Sequence, residues 1–138
     1  MTSKETATVA AWLRRYPELD VEIKRTEFEL MVKRNETDEN IGGGRMQNNN
    51  THAFESTVIK VADDKKLNTL THNQKTIRRM VGRESDEMQT LINELYFKRH
   101  TQETMVSLAI KFGVSRALLF RQRNAFFKRL YKRLLTEE

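Results

Sequence analysis

The amino-acid sequence predicts an all-α fold: N-terminal helices and a long central helix joined to a C-terminal three-helix unit that contains a helix-turn-helix. Three observations lead there. Apolar residues recur at three- and four-residue spacing along most of the 138-residue chain. One proline and five glycines, three of them consecutive, leave few places where a helix must stop. The stretch Thr101–Asn124, TQETMVSLAIKFGVSRALLFRQRN, reads as two short helices joined at a tight corner.

At the N-terminus, Thr2 or Ser3 can cap a first helix that carries Val9, Trp12, Leu13 and Tyr16 on one face and ends before Pro17. The Trp12–Tyr16 cluster is most simply core. A second helix is expected from Glu18 to about Asn35, with Leu19, Ile23 and Leu30, joined by Phe28 and Met31, as its core stripe. Glu18, Asp20 and Glu22 at its start and Lys33 and Arg34 at its end complement the helix dipole.

The run Thr37–Thr51, TDENIGGGRMQNNNT, is the clearest break in the chain. Two readings stand for it. A flexible linker is the simpler; alternatively, consecutive glycine amides beside Arg45 form a concave site for a DNA phosphate. No lysine and hydroxyl of a nucleotide-binding loop accompany GGGR, so it is not an ATP site. Thr51 then caps a long third helix with Phe54, Val58, Val61, Ala62, Leu67, Leu70, Ile77 and Val81 along it. Spanning His52–Val81 unbroken, it would be about 45 Å long. It must therefore either break near Thr71–Asn73 or project, and a projecting apolar seam would seek a partner chain, in the simplest case a homodimer. The domain division predicted is 1–84, with its loop at 37–51, and 85–138.

Ser85 caps the next helix, with Asp86 and Glu87 behind it and Met88, Leu91, Ile92, Leu95 and Tyr96 on its apolar face. Thr101 is expected to cap the first helix of the corner, whose face is Met105, Leu108, Ala109 and Phe112. Gly113 closes that helix, Val114 tucks into the corner, and Ser115 caps a second helix that offers Leu118 and Leu119 to the core. Phe126, Phe127, Leu130, Tyr131, Leu134 and Leu135 extend the apolar pattern and dock this helix on the rest of the protein or on a second subunit.

Charge follows the same organisation. No acidic residue occurs between Thr104 and Thr136, where Lys111, Arg116, Arg121, Arg123, Lys128, Arg129, Lys132 and Arg133 carry +8. Residues 1–103 balance to zero and the whole chain carries +6. The excess positive charge thus sits on the helix-turn-helix, where phosphate neutralisation rewards it. The first turns of a recognition helix face the major groove. This makes Arg116, Ala117, Phe120 and Arg121 candidates for base contacts, the two arginines to guanine edges and Ala117 or Phe120 to a thymine methyl. Ser115, Arg123, Asn124, Lys128 and Lys111 are candidates for phosphates.

The order of helix, Asp38-Glu39-Asn40-Ile41-Gly42-Gly43-Gly44-Arg45, long helix, and a unit with Val114-Ser115-Arg116 and Arg121-x-Arg123-Asn124 resembles the RinA-type family of late transcription regulators from phages of Gram-positive bacteria. The C-terminal part also resembles the promoter-reading region 4 of sigma factors. Gln122 departs from the apolar residue usual at that point of such helices. The resemblance implies an activator of a phage late operon for packaging, structural and lysis proteins. It also implies double-stranded promoter DNA as partner, host RNA polymerase as a candidate second partner, and a role for the Gly42–Arg45 loop beyond tethering.

Enzymatic activity is the weakest hypothesis. His52, His72 and His100 lack ligand or triad spacing, no cysteine is present, and Asp63 and Asp64 read as a solvated helix face. No catalytic residue, cofactor or metal is therefore expected. The absence of cysteine and of long apolar runs fits a bacterial host cytoplasm and no membrane association. Two other classes compete with the regulator: the DNA-recognition (small) subunit of a phage packaging terminase, which would assemble rings, and a helical adaptor without affinity for DNA.

Overall fold

The computed structural model describes residues 1–42 and 49–135, with side chains over 1–32 and 65–135. These residues form α1 (Ser3–Arg15), α2 (Leu19–Gly42), α3 (Asn49–Gly82), α4 (Asp86–Ile92), α5 (Met105–Phe112) and α6 (Arg116–Tyr131), with no strand among them. A 3₁₀ turn at Tyr16–Glu18 follows α1, and a π-helical turn at Asn93–Phe97 extends α4. The fold is all-α, as the periodicity predicts.

Two compact units result: Met1–Glu18 with His72–Thr136, and one built on Leu19–Thr71. The division differs from the predicted boundary at residue 84. The first eighteen residues and the end of α3 belong with the C-terminal helices because α1 packs along α6 and against the π turn. Contacts so distant in sequence leave no local signal.

In the first unit, the Thr2 hydroxyl accepts from the Glu5 amide and starts α1, which buries Val9, Trp12 and Leu13. From α6, Phe126, Phe127 and Leu130 are fully buried, so the late apolar pattern docks on this chain's own core. Leu135 is 44% exposed and stands outside that core. The π turn is closed by the Lys98 amide on the Asn93 carbonyl. Its extra residue turns Tyr96 edge-on to Phe127 at 5.4 Å and stacks Phe97 on Tyr16 at 4.8 Å. Asn73, fully buried, fastens the chain after α6: its amide donates to the Leu135 carbonyl at 3.0 Å and its oxygen accepts from the Leu135 amide at 2.8 Å.

In the second unit, α2 continues through Thr37–Gly42 and α3 is already helical at Asn49. The predicted break over 37–51 is therefore too wide. Glu36 to Asn40 contain neither proline nor glycine, so the helix has no reason to stop at Asn35. Thr51 lies inside α3 and does not cap it. On α2, Leu19 is buried and Ile23 and Leu30 are half-buried, but Phe28 and Met31 are exposed at 66% and 59%. At 100° per residue those two lie opposite Leu19 and Thr26, which corrects their placement in the core stripe. α3 is continuous over 34 residues, about 51 Å, with no break at Thr71–Asn73. Phe54, Val58, Val61 and Ala62 lie outside the residues whose side chains are described.

Glycine 113 provides a test free of packing effects. Its φ is +71°, and a Cβ there would meet nothing within 4 Å, whereas Gly82 has equally open space without a positive φ. Gly113→Ala is expected to cost about 1–2 kcal/mol from backbone conformation alone. Gly82→Ala should be neutral or stabilise by up to about 1 kcal/mol. Urea denaturation followed by circular dichroism reads both; equal effects would contradict the left-handed corner.

Candidate nucleic-acid interface

The corner is built from three caps. Thr104, and not Thr101, starts α5: its hydroxyl accepts from the Ser107 amide, and the Ser107 hydroxyl accepts from the Thr104 amide. Thr101 instead accepts from the Glu103 amide in the preceding turn, because its own position is not yet helical. At the other end, the Gly113 amide donates to Ile110 and the Val114 amide to Ala109, the paired bonds of a Schellman ending. Ser115 then caps α6 by accepting from the Leu118 amide at 3.0 Å. Leu108, Ala109 and Leu119 are buried where α5 and α6 pack together.

Helical geometry sorts the side chains of α6. Leu119, Phe126 and Leu130 share the buried ridge. Opposite them Ala117, Arg121, Asn124 and Lys128 form an exposed ridge, and Arg116 and Phe120 lie on one flank of it. Arg121 and Lys128 have no acidic partner among the described residues. Leu118 is 37% exposed on the far flank, so the predicted second core residue of this turn faces outward. Ile110 and Val106 on α5 are exposed as well.

The guanidiniums of Arg116 and Arg123 lie 5.3 and 5.0 Å from the Phe120 ring. Arg123 also lies 5.1 Å from Phe127, donates to the Tyr96 hydroxyl at 3.3 Å, and donates twice to Asn124 Oδ1, at 3.2 and 2.8 Å. Predicted as a phosphate contact, Arg123 is half-buried and ties α6 to the π turn. Lys111, also a predicted phosphate contact, is exposed but ion-paired with Glu103. Arg129 pairs with Glu84 at 2.5 Å. Arg45 lies outside the described residues.

Two contributors have no local signature in the sequence. Tyr96 reads as one more apolar residue of α4, yet its hydroxyl meets Arg123. Arg14 reads as an ordinary exposed residue, yet its guanidinium lies 5.3 Å from the Tyr96 ring. Both contacts follow from the π turn and from the docking of α1 on α6.

The surface is therefore a cationic helix face with a hydrogen-bonding amide and an aromatic ring, suited to an extended polyanion. Among the described residues no group of His, Asp and Glu is arranged to hold a metal ion, and no helix is long and apolar enough to cross a membrane. Residues 11–132 match the model of a family described as Protein of unknown function (DUF722). No curated protein and no solved structure matches the chain.

The Glu103 carboxyl sits beside Lys111 and Ser107. Its bond to Lys111, and next its bond to the Ser107 hydroxyl, hold the carboxyl below its ordinary value of 4.5. A carboxyl with a depressed pKa in the folded state adds stability above its unfolded-state value and loses it as pH falls through the folded value. The stability difference between wild type and Glu103→Gln should accordingly be constant at neutral pH and shrink below the ordinary carboxyl value. Urea melts across pH check this, and parallel curves would refute it.

Proposed function

The chain belongs to the DUF722 family, whose description assigns no activity, and from its geometry we propose that it is a sequence-specific, double-stranded DNA-binding transcriptional regulator that reads the major groove with α6. One observation carries the reading. A serine-capped helix after a left-handed glycine corner presents Arg116, Ala117, Arg121, Asn124 and Lys128 outward, with Phe120 half-buried beside them, in a segment with no acidic residue from Thr104 to Thr136. A major groove about 12 Å wide admits one such helix.

Roles divide by position. Arg121, at the centre of the exposed ridge, and Arg116, beside it, meet base edges, and each bidentate contact to guanine is worth about 1–3 kcal/mol of discrimination. Ala117 or Phe120 takes a thymine methyl. Ser115, Asn124 and Lys128 orient the helix on phosphates, and Lys111 joins them where a phosphate displaces Glu103. Arg123 acts by holding Phe120 and Asn124 in place.

The resemblance to RinA-type regulators and to sigma region 4 supports a narrower form of the proposal: activation of a phage late operon in a bacterial cytoplasm, with host RNA polymerase as a further partner. On this reading the protein is a binding protein and not an enzyme.

Selecting duplexes from a random-sequence pool with the purified protein tests the proposal. Recovery of one sequence pattern is expected, and failure to enrich any would refute specific reading. On the selected duplex, Arg116→Ala and Arg121→Ala should each cost about 1–3 kcal/mol, with far smaller losses on random duplex. Affinity should also fall steeply with salt in fluorescence anisotropy, and a flat dependence would argue against phosphate contacts.

A further inference from the structure

We propose that the groove between α1 and α6 is a second seat for the DNA backbone, holding a phosphodiester of the same duplex that α6 reads. This inference rests on the DNA-binding reading above. A cavity of about 450 Å³ opens between the two helices, with Ser3, Thr6, Ala7 and Arg14 on one wall and Arg123 and Asn124 on the other. With Ala10, also on this wall, the α1 residues recur at three- and four-residue spacing, so one face of the helix is short side chains ending in an arginine one turn beyond Ala10. Short side chains leave the space, and the two guanidiniums set its charge.

Three features suit the groove to a phosphodiester. No acidic side chain lines it. Arg14 and Arg123 are held by ring faces, at 5.3 Å from Tyr96 and 5.1 Å from Phe127, and neither has an acidic partner among the described residues. Arg123 spends one N–H each of Nε, Nη1 and Nη2 within the protein, on Asn124 and Tyr96. Its charge, unlike that of a guanidinium paired with a carboxylate, is left for an anion together with the second hydrogens of Nη1 and Nη2. Asn124 adds an amide. Because Arg123 can only donate, it fixes Oδ1 toward itself, and both Nδ2 hydrogens are left for another acceptor.

The location agrees with the path of a duplex. Arg123 and Phe127 continue the flank of α6 that carries Arg116 and Phe120, and Arg123 follows Arg116 by seven residues, about 10 Å along the helix. A helix inserted in the major groove has a sugar-phosphate strand running past each flank. On this flank the strand would pass Arg123 and reach Arg14, so that α1 helps to orient α6. A contact of this kind strengthens binding to any sequence and adds no base discrimination.

Fluorescence anisotropy with a labelled random-sequence duplex and with the duplex selected by the wild-type protein tests the seat. Arg14→Gln removes the charge, and Ala7→Glu places a carboxylate on the exposed wall while keeping a good helix former. Each is expected to lower affinity for both duplexes by the same factor, and Arg14→Gln to make the slope of log affinity against log salt shallower by about 0.9. Unchanged affinity and slope in both variants would overturn the proposal, as would a loss confined to the selected duplex. Should Arg14→Gln melt below wild type, Ala7→Glu decides. Arg116→Ala separates the two readings: if it loses only the selected duplex while the α1 variants lose nothing, the seat alone fails. If wild type binds neither duplex, the DNA-binding reading fails and the seat with it.

Discussion

The rotation of α6 about its own axis is set by the burial of Leu119, Phe126, Phe127 and Leu130, and the character of the cationic surface depends on that rotation. Removing a fully buried phenylalanine side chain costs about 3–5 kcal/mol in a folded core. Two such residues and two leucines therefore make any other rotation far less stable than the observed one. Once the buried ridge is fixed, helical geometry alone sends Ala117, Arg121, Asn124 and Lys128 to the opposite side. The outward arginines need no interaction of their own to be placed there.

What the arginines do need is order, because a long exposed side chain samples many rotamers and forfeits entropy on binding. Phe120 supplies part of that order, with Arg116 on one side of its environment and Arg123 on the other. Arg123 is in turn restrained by Tyr96, Phe127 and Asn124. Tyr96 reaches it only because the π turn adds a residue to the end of α4. The cluster converts a flexible charge into a fixed one and joins the π turn to α6 around a single guanidinium.

Asn73 performs a comparable service at the other end of α6. Its fully buried amide finds partners for both its donor and its acceptor on the backbone of Leu135, past the last helical turn, and so fastens that segment. His72 adds a bond to the Arg133 carbonyl at 2.9 Å. The end of α6 is thus held by α3, its middle by α1 and its start by α5.

The sequence by itself determined the all-α class, the corner at Gly113, the caps Ser85 and Ser115, and the segregation of positive charge. Each is a local matter: a φ that glycine tolerates, a hydroxyl within reach of the next amides, a period of 3.6. It misjudged the start of α5, where Thr104 outcompetes Thr101 through its bond with Ser107, and it set helix ends too early around Thr37–Thr51, where composition resembled a linker but contained no breaker up to Ile41. Only the tertiary structure decided that Phe28, Met31 and Leu118 face outward, that Arg123 is an anchor, and that Arg14 stands beside it across a groove. Those outcomes depend on which helix meets which, and contacts between residues more than a hundred positions apart are set by the sum of buried surfaces, which no stretch of sequence carries alone.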